Sequence, residues 1–264
     1  MEVNNRVALV TGGAHGIGRA LCRALNMEGA KVAVADLDID AARKIAEEVG
    51  GMALLMDVAD EASIAAGIEH AETELGPIDI FVSNAGVAFG DGAGGAASAP
   101  NEHWRACIDI NLMAHVYAAR VMVPKMKQRG GGCLVNVSSA AGLLAQVGEA
   151  AYTATKHAAV GFAESLAITH GDDGIHVVLV CPQAVATRMA EEVSTGPGAA
   201  AAVDGVITAE QVADAVVQGL AEEDFLILPH PEVAEYRQHK AASYDRWLGG
   251  MRKLRRAIGF GAGA

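Results

Sequence analysis

The chain has 264 residues, of which 52% are hydrophobic and 20% charged, and its formal net charge is −12. Such a length and apolar content suit one large core and exclude a disordered chain, while the acidic excess argues against nucleic acid as a partner. Mean hydropathy is positive, yet no unbroken run of about 18 apolar residues occurs, so no membrane span is expected, and the start MEVNNRVALV lacks the features of a signal peptide.

Short β-branched runs alternate with longer helical patterns. RVALVTGG (6–13) reads as a buried strand running into a turn. Residues 16–28 have helical spacing, with Ile17, Leu21, Ala24 and Leu25 on one side. KVAVAD (31–36) is the next strand, 39–50 a helix closed by glycine, and MALLMDV (52–58) a third strand. A helix over 60–75 stops before Gly76-Pro77, and IDIFVSNAG (78–86) is the fourth strand. Residues 101–128 read as one long helix, CLVNVSS (133–139) as the fifth strand, 151–170 as a helix and IHVVLVCP (175–182) as the sixth strand. A helix over 209–223 and FLILP (225–229) complete the series. Continuous apolar strands separated by helices mean a parallel sheet covered on both faces. The expected fold is α/β, a single doubly wound, Rossmann-type sheet of seven strands, over residues 1–230, with a helical extension over 231–264.

Two segments break the rhythm. AFGDGAGGAASAP (88–100) and STGPGAAAAVDG (194–205) are rich in Gly and Ala, with few anchoring side chains. They are expected as mobile loops at the C-terminal edge of the sheet, where ligands bind in such folds. Cys22, Cys107, Cys133 and Cys181 lie far apart without a CxxC pair. Neither a metal site nor a disulfide framework is indicated, which suits buried thiols in a cytoplasmic protein.

TGGAHGIG (11–18) joins the first strand to the first helix, with Gly12, Gly16 and Gly18 in G-x-x-x-G-x-G spacing. Glycines let the backbone approach a pyrophosphate, and the following helix offers free N–H groups to it. Asp36 ends the second strand, where a carboxylate accepts hydrogen bonds from an adenosine ribose diol and repels a 2′-phosphate. Position 37 is Leu, and His15 and Arg19 do not form the basic pair expected beside that phosphate. The expected cofactor is NAD. Tyr152 and Lys156 stand i, i+4 on one helix face, the spacing that lets a lysine ammonium act on a phenol.

Taken together, Thr11 to Gly18, Asn84-Ala85-Gly86, Asn111, and Ser139, Tyr152 and Lys156, with thirteen residues from Ser to Tyr, resemble the short-chain dehydrogenase/reductase family. A related Pro-Gly-x-x-x-Thr element is matched by Pro182 to Thr187, and the resemblance spans roughly residues 4–225. It implies that Tyr152 is the general acid/base and that Ser139 holds the substrate oxygen. Lys156 would hold the nicotinamide ribose and lower the Tyr152 pKa, and Asn111 would hold a relay water. It further implies a cofactor contact surface made of His15, Ile17, Leu37, Asp57, Val58, Asn84, Ala85, Gly86, Pro182, Val185 and Thr187. Gln183 departs from the family's Gly.

The walls of the substrate pocket are expected from Ala140, Leu143, Leu144, Ala145, Val147, Gln183 and Met189, without a fixed charge apart from the nearby Arg188. An uncharged hydrophobic secondary alcohol or ketone is the expected substrate. A 3-oxoacyl thioester reductase would show a basic docking patch, and a nucleotide-sensing regulator would tend to lose Tyr152 or Lys156. The resemblance also implies a homo-oligomer, dimer or tetramer. In the extension, Val233, Tyr236, Tyr244, Trp247, Met251, Leu254 and Ile258 form a helical stripe interrupted by Lys240, with a kink expected at Gly249-Gly250. The stripe suits a helix packed on its own domain, an arm to a partner subunit, or a roof over the substrate pocket. Arg252, Lys253, Arg255 and Arg256 read as a solvated face.

Overall fold

The computed structural model describes residues 1–92, 94–187 and 197–259. Strands β1 (Val7–Thr11), β2 (Lys31–Asp36), β3 (Met52–Leu55), β4 (Ile80–Ser83), β5 (Gly132–Val137), β6 (Ile175–Val180) and β7 (Leu226–Ile227) form one sheet. Their order is β3-β2-β1-β4-β5-β6-β7, and every pairing is parallel. The helices are α1 (Gly16–Met27), α2 (Ile39–Glu48), α3 (Glu61–Leu75), α4 (Asn101–Ile108), α5 (Ala114–Gln128), α6 (Ala140–Leu143) and α7 (Ala150–His170). They continue with α8 (Pro197–Ala201), α9 (Ala209–Glu222), α10 (Glu232–Ala242) and α11 (Tyr244–Ala257).

The alternating pleat of each strand feeds two cores. Ala8, Val10, Val32 and Val34 pack with α1, α2 and α9 on one face. Val7, Leu9, Ala33, Ala35 and Phe81 pack with α3, α5 and α7 on the other. The doubly wound sheet read from the sequence is therefore present. Strand order reverses between β1 and β4, which opens a crevice at the C-terminal edge.

Polar caps set the helix ends. Asp38 accepts from Ala41 N–H at the start of α2, and Thr208 and Gln211 form a reciprocal box at the start of α9. The strands stop earlier than expected at this edge because side chains take over their backbone partners. Thr11 Oγ1 donates to Val82 O and accepts from Asn84 N–H and Ala85 N–H, which turns the chain away after Ser83.

Several expectations change. The helix over 101–128 is interrupted by a π-turn at Asp109–Met113, between α4 and α5. By length and composition that stretch would also qualify as a membrane span. Here one face of it is buried in the core, through Cys107, Asn111, Ala118, Met122 and Met126. Between the strand and helix read over 133–139 and 151–170, Ala140–Leu143 form a short helix, α6. In the 194–205 segment, Pro197–Ala201 is helical, and 194–196 lie outside the described residues. The 88–100 loop is anchored, contrary to expectation. Asp91 is buried; its carboxylate accepts from Ala150 N–H at 2.7 Å, its N–H donates to Gly148 O, and its carbonyl accepts from Ser98 Oγ.

The extension folds as two helices on the same body. The break falls at Ser243 (φ −160°, ψ 96°), and α11 runs unbroken through Gly249-Gly250. Neither glycine has a positive φ or a neighbour that a side chain would meet.

The Asp91 carboxylate supplies the N-terminal cap of α7 that Glu149, at the cap position, does not. Asp91→Ala is expected to lower unfolding free energy by about 1–2 kcal/mol, measured by urea denaturation.

Candidate active site

A cavity of about 490 Å³ lies along the C-terminal edge of β1, β2, β4, β5 and β6. Of the residues expected at the nucleotide, all but Gly18 line it. Gly18 sits beneath the loop, where a Cβ would overlap the Gly12 carbonyl, so its part is close packing of helix on turn. Gly12 (φ +62°) and Gly16 (φ +49°) hold left-handed conformations that favour glycine. No side chain caps α1, because His15 turns its Nε2 to Asp38 Oδ2 at 3.1 Å. The first-turn N–H groups thus have no side-chain partner, as an anion-binding helix start requires. Asp36 accepts from Ala14 N–H and Asp38 N–H, both at 3.0 Å, which fixes its carboxylate at the cavity's far end beside exposed Leu37. These features fit a nicotinamide dinucleotide.

At the other end, Ser139, Tyr152 and Lys156 converge. Ser139 caps α6, accepting from Ala141 N–H at 3.1 Å; its hydroxyl donates to Pro182 O at 3.5 Å and lies close enough to the Tyr152 phenol to act on its pKa. Lys156 is buried, donates to Val137 O at 3.2 Å, and lies 5.6 Å from the Tyr152 ring centre. Burial pulls its ammonium down to about 8. Burial also pushes the Tyr152 phenol up to about 12; the Ser139 hydrogen bond opposes this, and the Glu149 charge adds to it. Lys156 is not among the groups acting on the phenol, so the lowering expected from it does not appear, and burial favours the neutral phenol.

Asn111 lies within the π-turn and is fully buried. Its Oδ1 accepts from Val87 N–H at 2.9 Å, and its Nδ2 donates to Val87 O and Thr155 Oγ1. Both amide protons are engaged, so Asn111 clamps the segment after Gly86. A Cβ on Gly86 would stand 3.3 Å from Asn111 Oδ1 and 3.6 Å from Lys156 Nζ, so a larger residue there would crowd both.

A second cavity, of about 550 Å³, shares Ser139, Gln146, Gln183 and Ala201 with the first. Ala140, Leu144, Ala145 and Val203 form one side, and Trp247, Met251 and Leu254 of α11 form the roof; His239 and Arg246 also line it, so the wall expected without a fixed charge carries a guanidinium. Two expected wall residues are absent from it. Leu143 turns into the core. Val147 lines neither cavity, because the Thr153 hydroxyl binds both the N–H and the carbonyl of Gln146 and holds that residue at the wall instead. Met189 and Arg188 lie outside the described residues. Gln183 reaches across the junction, its N–H donating to His230 Nδ1 and its Nε2 to Asp204 Oδ2.

Glu149 went unnoticed in the sequence, although three residues before Tyr152 is a same-face helical step. It lines the first cavity, so the pocket does carry an ionisable group. Burial, with the Asp91 charge second, pushes its carboxyl up to about 7.

A family model described as short chain dehydrogenase matches residues 6–198. The chain is 34% identical over 197 residues to zerumbone synthase of Zingiber zerumbet, covering 72% of each protein. It is 33% identical over 196 residues to cyclohexanol dehydrogenase of Acinetobacter sp. (strain SE19), covering 72% of this chain and 77% of that one. A short chain dehydrogenase/reductase from Burkholderia phymatum, solved in complex with NAD, aligns with a TM-score of 0.84 at 25% identity, over 93% of this chain and 96% of that one. The chain belongs to the short-chain dehydrogenase/reductase family, whose members are oxidoreductases that bind a nicotinamide cofactor.

The Glu149 shift has a sign that can be measured. A folded pKa of about 7, above the usual 4.5, means that ionisation opposes folding, with the penalty absent below about pH 4.5 and complete above about pH 7. Glu149→Gln is expected to raise Tm at pH 8 and leave it nearly unchanged at pH 5, read by thermal denaturation at both values.

Proposed function

We propose that this short-chain dehydrogenase/reductase is an NAD-dependent enzyme that interconverts uncharged, hydrophobic secondary alcohols and ketones. The observation that carries this reading is the cavity of about 550 Å³, walled mainly by apolar side chains with His239 and Arg246 at its α10–α11 side, that opens onto the Ser139 side of the nucleotide cavity. A relative named for cyclohexanol supports the same direction.

The nicotinamide supplies or accepts the hydride. This chain's residues orient the reactants and move the proton. In reduction, Tyr152 gives its phenolic proton to the carbonyl oxygen while Ser139 donates a hydrogen bond to that oxygen. In oxidation, Tyr152 takes the alcohol proton. On this reading the Lys156 ammonium stabilises negative charge on the phenolic oxygen and holds ribose hydroxyls. Asn111 keeps the Val87 backbone, and so the floor beneath Gly86, in place. It could also hold a relay water through the free lone pair of Oδ1.

Asp36 selects the cofactor. Its carboxylate meets the adenosine ribose, and Leu37 offers no cation to a 2′-phosphate. His15, the nearest basic side chain in the loop, is already engaged by Asp38. The reading includes a homodimer or homotetramer, supported by Tyr244 and Leu248 standing exposed on α11.

Incubation with NAD or NADP and a panel of secondary alcohols, followed by absorbance of the reduced cofactor, tests the whole reading. Turnover of apolar alcohols with NAD is expected; tight NAD binding without turnover across the panel would overturn it. Tyr152→Phe should lower turnover by about a hundredfold or more while NAD affinity, read by fluorescence titration, stays near wild type. Asp36→Ala should narrow the ratio of kcat/KM with NAD to that with NADP, and an unchanged ratio would remove Asp36 from its role.

A further inference from the structure

On α10, Val233, Tyr236 and Lys240 follow an i, i+3, i+7 spacing and share one face. Val233 is fully buried, and the Tyr236 hydroxyl donates to Asp204 Oδ1 at 2.7 Å. Lys240, read in the sequence as a break in the apolar stripe, is itself buried. Its Nζ donates to Leu143 O at 2.9 Å and to Leu144 O at 2.8 Å, and lies 3.2 Å from His157 Nε2. His157 Nδ1 lies 2.9 Å from Thr153 O, a carbonyl that can only accept. The Nδ1 therefore carries the ring proton, and Nε2 presents its lone pair to the ammonium. An ammonium has three protons, and each has an acceptor here. The rings of Trp247 and Tyr244, with centres 4.9 Å and 5.8 Å from Nζ, lie close enough to interact with the cation from α11.

This one side chain fastens three pieces of the molecule. The Leu143 and Leu144 carbonyls end α6, a four-residue helix that cannot satisfy its own last carbonyls. His157 stands on α7, next to Lys156. The lysine comes from the extension, whose second helix roofs the apolar cavity. Lys240 itself is not among the residues lining either cavity.

We propose that Lys240 is a positioning residue for the substrate: by holding the Leu143 and Leu144 carbonyls against α7 and the C-terminal helices, it sets the wall of the apolar cavity that seats bulky alcohols. A methionine at this place keeps the length and volume but offers no donor. The small substrates that reach only Ser139 and Tyr152 are indifferent to that wall. Bulky ones are not. The substrate half of the proposal rests on the dehydrogenase reading above, whereas the fastening does not.

The test compares wild type, Lys240→Met and, as an exposed-lysine control, Lys253→Met. In the absence of substrate, amide hydrogen exchange over 139–149 should speed up about tenfold or more in Lys240→Met, with β1 and β2 unchanged and the control like wild type. KM for a steroid-sized secondary alcohol should rise about tenfold, while KM for cyclohexanol, kcat for both and NAD affinity stay within about twofold. His157→Phe removes one acceptor of three and serves if Lys240→Met folds poorly; it should move exchange and the bulky-alcohol KM the same way, by about threefold. Unchanged exchange over 139–149 would overturn the fastening. An equal rise of KM for both alcohols, or a fall of kcat, would overturn the positioning role. If wild type oxidises neither alcohol, the substrate half falls with the dehydrogenase reading, and the exchange result still decides the fastening.

Discussion

A parallel sheet covered by helices on both faces leaves its backbone unpaired at the ends of its strands, and buried N–H and C=O groups there must find partners. In this chain the side chains that meet that need at the C-terminal edge are the ones gathered around the two cavities. Thr11 gathers Val82 O, Asn84 N–H and Ala85 N–H. Asn111 takes both the N–H and the carbonyl of Val87. Lys156 answers the last carbonyl of β5, and the Ser138 hydroxyl answers the carbonyl of Lys156. The chemistry proposed for the site is thus performed by groups that the architecture already requires, which ties the precision of the site to the closure of the sheet.

The electrostatics follow from the same burial. A carboxylate placed at Asp91 to cap α7 also faces Glu149, and that like charge, added to desolvation, is what keeps the Glu149 carboxyl neutral to about pH 7. The phenol of Tyr152 is lifted by the same low-polarity surroundings, and the ammonium of Lys156 is lowered by them. One cause, the exclusion of water, thus favours the uncharged form of both groups.

Most of the fold and of the lining of the first cavity was legible in the sequence, because period-2 and period-3.6 patterns and glycine spacing are local signals. Gly12, Gly16 and Asp36 could be placed because strand, turn and helix follow one another along the chain. What escaped depends on distant partners. The π-turn at Asp109–Met113 leaves no trace in a sequence whose helical pattern continues through it. Asp91 looked like one residue of a soft Gly/Ala loop until Ala150 N–H came within reach of it. Lys240 looked like a polar flaw because nothing near it in the chain announces two carbonyls nearly a hundred residues earlier. The kink expected at Gly249-Gly250 belongs instead to Ser243, where extended backbone torsions, not a flexible residue, end the helix.

The shared attachment at Lys240 has an evolutionary side. The match to the family model ends at residue 198, so the helix that supplies this lysine lies beyond the part of the chain aligned to the family model. The loop it holds lies well inside that part. A lineage that altered the loop alone would leave a buried cation with nothing to grip, and one that altered the tail alone would strand two carbonyls. Loop and tail are therefore coupled across the chain, and a change in either half calls for a matching change in the other.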